Sequence, residues 1–166
     1  GPLAVNLLRD ISEQKKFDQQ ISEYAFVDTL TNLPNRRYFN EILERDISKA
    51  CRHQEKLGIL FIDLDKFKPI NDTHGHHIGD LVLKEISTRL THILRVEDLL
   101  ARIGGDEFII TVFPVSKPHY LDTVAMRILE ACHKPMLIEN KTLQLSASIG
   151  ISINNARALD GQNLID

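Results

Sequence analysis

The chain of 166 residues is long enough for one globular domain with a hydrophobic core, since 43% of its side chains are apolar and 26% are charged. Its net charge is −3, and its 20 Lys and Arg are scattered among 23 Asp and Glu. We therefore expect no nucleic-acid partner, because such partners require a basic surface. No apolar run reaches the roughly 18 residues of a membrane-spanning helix. Cys51 and Cys132, the only cysteines, favour reduced thiols and the cytoplasm, with any membrane attachment lying outside this segment.

The first part of the chain has the pattern of a connecting helix. Residues 1–3 look like a cloning remnant, and the apolar residues from Leu8 to about Val27 have helical spacing on a face too narrow for a core. We therefore expect a linker over residues 1–27 and one domain over residues 28–166.

Helix and strand patterns alternate through the rest of the chain. Turn and cap residues at 28–35 precede a helical pattern, and the apolar run 57–62 predicts a buried strand that stops at Asp63. The later predicted elements are, in order, a polar loop at 66–80, a helix through 81–93, strands at 99–103 and 107–113, a helix at 120–133, and strands at 136–138, 142–145 and 146–153, with a turn at Asn140–Lys141. This alternation predicts an α/β (α+β) fold with a central mixed, mainly antiparallel sheet flanked by helices.

Two acidic positions indicate a metal-binding site. Asp63 follows the predicted buried strand, at the end where α/β sheets commonly bind ligands, and Asp106 lies in the turn of the predicted hairpin. Carboxylates that converge without a histidine or thiolate suit Mg²⁺, which takes oxygen ligands and shares substrate phosphates. Gly104 and Gly105 supply the positive φ angles of a tight turn and let a ligand approach the backbone. Alternatively, Asp63 and Asp65 only cap the next loop, and the glycine turn is an ordinary hairpin with exposed acids.

The polar segment 66–80 offers groups for binding a nucleotide. Lys66 and Lys68 can present positive charge to phosphates, and Asn71 and Asp80 can pair with a base edge such as that of guanine. Plain solvated charges are the alternative for the lysines. The nearby histidines lack a cysteine or a fourth ligand at zinc spacing, so we assign loop and helix-start roles to His74, His76 and His77.

Four separated motifs resemble those of the bacterial GGDEF-domain diguanylate cyclases. They are Asp28-x-Leu30-Thr31-Asn32-Leu33-Pro34-Asn35-Arg36-Arg37, Phe61-Ile62-Asp63-Leu64-Asp65-x-Phe67-Lys68-x-Ile70-Asn71-Asp72 followed by Gly79-Asp80, Arg102-Ile103-Gly104-Gly105-Asp106-Glu107-Phe108, and Ser148-Ile149-Gly150-Ile151. The resemblance extends from about Asp28 to Ile153. It implies a palm-like nucleotidyl cyclase domain that condenses two GTP molecules into cyclic di-GMP and two pyrophosphates.

The resemblance also implies a catalytic centre. In that centre Asp63, Asp106 and the carbonyl oxygen of Leu64 bind Mg²⁺ or Mn²⁺. Glu107 helps to activate the ribose 3′-hydroxyl, which attacks the α-phosphate of a second GTP. The implied catalytic residues are thus Asp63, Asp106 and Glu107.

A substrate site and a partner are implied in the same way. Asn71 and Asp80 would hold the guanine of GTP, while Phe67 and Lys68 would lie along its phosphates beside the glycines of the hairpin, Gly104 and Gly105. Because one protomer holds one GTP, catalysis implies a homodimer, at least a transient one.

A second binding site is implied by Arg95-Val96-Glu97-Asp98, five residues before the glycine pair, which is similar to the family's Arg-x-x-Asp product-inhibition motif. Arg95 would bind guanine or phosphate with its guanidinium fork, and Asp98 would accept from a guanine edge, so that cyclic di-GMP inhibits its own synthesis. A salt bridge at a helix end is the alternative for these two residues.

The resemblance also concerns the two ends of the chain. The family usually continues with a helix that carries phosphate-binding basic residues, so the resemblance implies a domain truncated at its C-terminus. Residues 8–16 resemble the end of a PAS domain and the start of a signalling helix, which implies an upstream sensor.

An alternative function is a non-catalytic receptor for GTP or cyclic di-GMP in a larger protein, such as one with a phosphodiesterase domain. A generic α/β interaction module would require all four motifs to be coincidental.

Overall fold

The structure, a computed structural model, describes residues 2–117 and 119–154. Its elements in chain order are α1 Pro2–Phe26, α2 Arg36–His53, β1 Leu57–Asp65, α3 Phe67–His74, α4 His76–Ile93, β2 Leu99–Gly104, β3 Glu107–Val112, α5 Tyr120–His133, β4 Met136–Ile138, β5 Lys141–Leu143 and β6 Ser146–Asn154. The predicted α/β class is confirmed.

The central sheet has four strands in the order β2-β3-β1-β6, and β4 and β5 form a separate two-stranded ladder. Every strand pairing in the described residues is antiparallel. One parallel contact is an isolated bridge between Asn35 and Arg102. The strand β1 lies inside the sheet because it pairs with β3 on one side and with β6 on the other.

Successive side chains of a strand point to opposite faces of the sheet. Helices cover both of these faces. The larger cluster joins β1 and β3 residues such as Leu60, Ile62 and Ile110 to Ile86 of α4 and Ile128 of α5. Burying one such side chain stabilises the fold by about 1.5–3 kcal/mol. This packing holds the carboxyl end of β1 in a fixed place.

A smaller cluster covers the other face. It joins Phe39 and Leu43 of α2 to Leu57 of β1 and Ala101 of β2. The helix α2 therefore lies over β1 and over β2, the strand that leads into the glycine hairpin.

The segment 66–80 was predicted as a polar loop, and that prediction was wrong. It contains α3 and the start of α4, separated by Gly75 with φ +87°. Pro69 is compatible with α3 because it lies in the first turn, where backbone N–H groups have no intrahelical partner. Phe67 and Ile70 form a short buried stripe among polar residues, which the loop interpretation overlooked.

The turn between β4 and β5 is one residue earlier than predicted. Ile138 pairs with Lys141, so the turn residues are Glu139 and Asn140, with φ +45° and +63°. Both central residues of a tight type I′ hairpin take positive φ. Lys141 consequently belongs to the strand.

The helix predicted for the first part of the chain is present as α1, and several of its apolar side chains are exposed, such as Val5, Leu8 and Phe17. Two hydrogen bonds join its end to the following turn. The side-chain amide of Asn35 donates to the carbonyl oxygen of Ala25 (3.0 Å), and the backbone N–H of Asn35 donates to the carbonyl oxygen of Phe26 (2.9 Å). Within residues 2–117 and 119–154, no helix combines the length and apolarity needed to cross a bilayer.

Candidate functional site

The two predicted metal-binding acids meet where β1 runs beside the hairpin. Antiparallel pairing places Asp63 opposite Glu107, the first residue of β3. The N–H of Leu64 donates to the carbonyl oxygen of Asp106 (3.2 Å). The structure therefore brings Asp63, Leu64, Asp106 and Glu107 close together.

The hairpin turn depends on its two glycines. Gly104 pairs with Glu107, which leaves Gly105 and Asp106 as a two-residue turn. Gly104 has φ +148° and Gly105 has φ +51°, and a Cβ atom built on either would meet no atom within 4 Å. Glycine is needed here for the backbone conformation, and the turn keeps open space around it.

Like charges crowd this end of the sheet. Burial raises the pKa of Asp63 above its ordinary value, and the negative charges of Asp106 and Asp65 raise it further. Bringing carboxylates together in this way costs free energy unless a cation balances them. Two carboxylates and one carbonyl oxygen suit a hard divalent cation such as Mg²⁺, whose other ligands are water and phosphate oxygens. In the described part of the chain, no group of three or more His, Cys, Asp or Glu side chains forms a complete site of its own.

The neighbouring Asp65 has a different role. Its Oδ2 accepts from the hydroxyl of Ser146 (3.0 Å) and its Oδ1 accepts from that of Ser148 (2.9 Å). Asp65 therefore ties β1 to β6. Among the described residues, no hydrogen bond engages the carboxylate of Asp63, and neither Asp63 nor Asp65 caps the start of α3, so the capping alternative fits neither acid.

The predicted base-binding residues lie on the paired helices α3 and α4. The side-chain oxygen Oδ1 of Asn71 is the one buried side-chain polar atom without a hydrogen-bond partner in the described residues. It occupies the space beside Gly79, because a Cβ atom built on Gly79 would lie 1.8 Å from this oxygen. Asp80 follows Gly79 and is exposed. Gly79 thus makes room for the carboxamide of Asn71, a role that the sequence analysis missed.

The predicted phosphate-binding residues begin α3. Lys68 is exposed, but Phe67 is buried in the larger cluster. Any contact of Phe67 with a ligand would therefore come from its main chain. Lys66 adopts a left-handed conformation with φ +61° just before the helix, which turns the chain sharply from β1 into α3.

Arg95 and Asp98 form a separate group in the turn between α4 and β2. They make no salt bridge with each other within 4.0 Å in the described structure, contrary to the helix-end alternative. Instead, Oδ2 of Asp98 accepts from the N–H of Arg95 (3.1 Å) and from the hydroxyl of Tyr120 (3.1 Å). The guanidinium carbon of Arg95 lies 4.0 Å from the centroid of the Tyr120 ring. Tyr120 was not predicted to take part.

A clamp on the hairpin was also missed by the sequence analysis. Arg102 donates to both carboxylate oxygens of Asp28 (3.0 Å each) and to the carbonyl oxygen of Gly105 (3.0 and 2.7 Å). Asp28 also accepts from the N–H and the hydroxyl of Thr31 (2.9 and 2.6 Å). The turn that follows α1 is therefore joined to the glycine turn through one arginine. Both ends of this pair lie in the quoted motifs, which was the available signal.

A cleft of about 590 Å³ lies beside the same hairpin. Its lining includes Arg36, Arg37 and Asn40 of α2, and Arg102 and Gly104 of β2. All three of its arginines are already engaged. Arg36 donates to the carbonyl oxygen of Ile103 (3.4 Å), and Arg102 is held by the clamp. Arg37 forms a salt bridge with Glu41 (3.9 Å) and lies over the ring of Phe26. The cleft includes none of the predicted metal-binding or base-binding residues.

Comparison with known proteins gives one consistent family. The family model described as "Diguanylate cyclase, GGDEF domain" matches residues 25–166. The chain is 38% identical over 136 residues to the bifunctional diguanylate cyclase/cyclic di-GMP phosphodiesterase MucR of Pseudomonas aeruginosa, a match that covers 82% of this chain and 20% of MucR. The chain therefore spans about a fifth of that relative's length.

Solved structures give the same result. A structure of the isolated GGDEF domain of TpbB from Pseudomonas aeruginosa is 41% identical, with a TM-score of 0.74 and coverage of 76% of this chain and 74% of that one. The GGDEF domain of DgcB from Caulobacter crescentus, solved in complex with c-di-GMP, is 27% identical, with a TM-score of 0.75 and coverage of 80% of each chain.

The Arg102–Asp28 clamp predicts a stability defect that depends on pH. Burial alone would raise the pKa of Asp28, but hydrogen bonds from Thr31 and Arg102 and the charge of Arg102 outweigh it and lower the pKa below the ordinary 3.8. A lowered pKa stabilises the folded state above the unfolded pKa, and this contribution is lost as the pH falls through the folded pKa. Asp28→Asn should therefore lower the free energy of unfolding at pH 7 by about 1–3 kcal/mol, and the difference from wild type should shrink below pH 4.

Urea denaturation at pH 7 and at pH 3 measures this effect. Asp10→Asn, which changes an exposed acid of α1, is the matched control and should match wild type at both pH values. Equal stability of Asp28→Asn and wild type at pH 7 would contradict the clamp.

Proposed function

The chain belongs to the GGDEF family of diguanylate cyclase domains, and on that premise we propose that it condenses two GTP molecules into cyclic di-GMP with release of two pyrophosphates. One observation carries the proposal: Asp63 and Asp106 converge at an open glycine turn, with Glu107 directly opposite Asp63. Burial and the negative charges of Asp106 and Asp65 raise the pKa of Asp63, which supports a bound divalent cation at this place.

We propose Mg²⁺ or Mn²⁺ as that cation, held by the carboxylates of Asp63 and Asp106 and by the carbonyl oxygen of Leu64. When bound, it supplies charge stabilisation to the phosphate under attack. Glu107 accepts the proton of the ribose 3′-hydroxyl as general base. The 3′-oxygen then bonds to the α-phosphorus of the second GTP, the bond from that phosphorus to the β-phosphate oxygen breaks, and pyrophosphate leaves.

Asn71 and Asp80 are the proposed guanine ligands. A carboxylate accepts from the N1–H and the exocyclic amine of guanine, and a carboxamide can both accept and donate. The unpaired oxygen of Asn71 supports this role, since an unmet buried polar atom costs about 1–3 kcal/mol. Lys68 and the main chain of Phe67 are proposed for the phosphates, and Gly104 and Gly105 for close approach of the substrate to the turn.

We propose a homodimer as the active assembly. One protomer supplies a single pair of metal-binding carboxylates and a single pair of guanine ligands, whereas the reaction joins two GTP molecules through two phosphodiester bonds. Two copies related by a twofold axis would present two such half-sites to each other. The exposed apolar side chains along α1 support association between copies.

Cyclic di-GMP is proposed as an inhibitor that binds at Arg95 and Asp98. These side chains form no salt bridge with each other, so a ligand does not have to separate them. The receptor alternative, in which the domain binds GTP or cyclic di-GMP without turnover, is favoured by one finding: the relative NbdA of Pseudomonas aeruginosa, 35% identical over 133 residues, is named for cyclic di-GMP phosphodiesterase activity alone. Input from an upstream sensor domain fits either function.

Activity with GTP tests the main proposal. Asp106→Ala should reduce formation of cyclic di-GMP and pyrophosphate at least about 100-fold, because it removes a group that acts on charge developing in the transition state. Chromatography of the products from Mg²⁺ and GTP measures this. Asp122→Ala, which changes an exposed acid of α5, is the control and should retain wild-type rates.

Three results can be told apart. Equal product from Asp106→Ala and wild type would refute the metal assignment. Binding of GTP without product in the wild type, also when the chain is extended at its C-terminus, would favour the receptor alternative. The expected outcome is that Asp106→Ala loses product, while wild type and Asp122→Ala keep it.

The fit between Asn71 and Gly79 predicts a non-additive effect on GTP affinity. Gly79→Ala should weaken GTP binding about 10-fold, because the new Cβ would displace the carboxamide of Asn71 from its place. Asn71→Ala removes the group that clashes. Adding Gly79→Ala to Asn71→Ala should therefore cause little further loss.

Titration calorimetry of wild type and the three variants with GTP and Ca²⁺ measures these affinities. The melting temperature of each variant controls for unfolding, because the higher helix propensity of alanine (about 0.5–1 kcal/mol) and the clash of its Cβ with Asn71 act on stability in opposite directions. Equal and additive losses from the two substitutions would contradict the proposed role of Asn71.

A further inference from the structure

Tyr120, the first residue of α5, contacts both side chains of the proposed product site. We infer that Tyr120 is a positioning residue that holds Arg95 and Asp98 open for a guanine nucleotide. This inference rests on the proposed product inhibition and extends it to a residue outside the Arg-x-x-Asp motif. Three features of the described structure support it.

The first feature is the stacking of Arg95. Its guanidinium carbon lies 4.0 Å from the centroid of the Tyr120 ring, which is within the range of a cation–π contact. A guanidinium held by one flat face keeps its N–H edge and its second face free. Those are the parts that form forked hydrogen bonds to phosphate or guanine and stack on a base.

The second feature is that the two carboxylate oxygens of Asp98 differ in their hydrogen bonding. Its Oδ2 accepts hydrogen bonds from the hydroxyl of Tyr120 and from the N–H of Arg95, at 3.1 Å each. Within residues 2–117 and 119–154, its Oδ1 accepts no hydrogen bond. One oxygen therefore fixes the carboxylate, and the other stays available to the N–H groups of a guanine edge.

The third feature is that the two motif side chains do not bind each other. A ligand consequently has no Arg95–Asp98 salt bridge to break, which removes one cost of binding. Tyr120 supplies each side chain with a different partner instead: its ring for Arg95 and its hydroxyl for Asp98. Val96 between them is fully exposed, so the turn is accessible to a ligand.

The charge environment keeps Tyr120 in its donor form. Burial raises the pKa of the Tyr120 hydroxyl, the charge and hydrogen bond of Asp98 raise it further, and Arg95 and Arg127 lower it in part. The net direction is upward from an ordinary value of 10.0. The hydroxyl therefore stays protonated at neutral pH and donates to Asp98 throughout.

Direct binding of added cyclic di-GMP tests the inference. We expect Tyr120→Phe, which keeps the ring and loses the hydrogen bond, to weaken affinity about 3-fold, and Tyr120→Leu to weaken it roughly 10-fold or more. Arg95→Ala should weaken it further than either variant. Met126→Ala, at an exposed position of the same helix, is the matched control and should bind as wild type. Calorimetry in the absence of GTP provides the affinities, and melting temperatures verify folding.

A second comparison separates positioning from a purely structural effect. In an Asp98→Ala background, Tyr120→Phe should cause no further loss of affinity, because the hydroxyl has no carboxylate to hold. A loss of the same size in both backgrounds would overturn the positioning role. This comparison also decides the matter if Tyr120→Leu fails to fold.

The outcomes distinguish this inference from the function on which it rests. Weak binding by Arg95→Ala together with wild-type binding by both Tyr120 variants would overturn the role of Tyr120 and leave the product site standing. Wild-type binding by Arg95→Ala would overturn the product site itself, and the inference with it. Losses of affinity that increase from Tyr120→Phe through Tyr120→Leu to Arg95→Ala support both the product site and the role of Tyr120.

Discussion

The antiparallel register between β1 and β3 is the constraint on which the candidate site depends. It sets Asp63 opposite Glu107, and the hydrogen bond from the N–H of Leu64 to the carbonyl oxygen of Asp106 continues that register into the turn. A shift of one residue would move every side chain of the strand to the other face. The acids would then enter the core while Ile62 and Phe108 left it. Core packing and site geometry are therefore specified by the same pairing.

The charged form of Asp63 is destabilised in the site, and contacts elsewhere in the domain stabilise the backbone around it. The raised pKa of Asp63 means that its charged form is destabilised in the fold at neutral pH. Around it, contacts of the opposite kind hold the frame in place: Asp65 bonds to two serines of β6, and Arg102 joins Asp28 to the glycine turn. Charges that lack partners in the fold are common at functional sites, where stability is exchanged for activity.

Local patterns predicted much of this structure, but tertiary contacts were beyond them. The bounds of α5 and β4 and the glycine hairpin follow from strong periodicity and from paired glycines. The prediction for the segment 66–80 was wrong because Pro69 and Gly75 usually mark loops, although here Pro69 lies in the first turn of α3 and Gly75 separates α3 from α4. The Asp28–Arg102 pair spans 74 residues and the Tyr120–Asp98 bond spans 22. Which groups meet over such separations depends on packing, so the sequence marked Asp28 and Arg102 without pairing them and did not mark Tyr120 at all.

The most direct measurement is a crystal structure of the chain with Mn²⁺ and a GTP analogue that cannot be hydrolysed, with the metal located by its anomalous scattering. The account predicts an anomalous peak bound by the carboxylates of Asp63 and Asp106, with the guanine against Asn71 and Asp80. A metal bound elsewhere, or a nucleotide in the cleft between α2 and β2 with Asp63 and Asp106 unliganded, would contradict it.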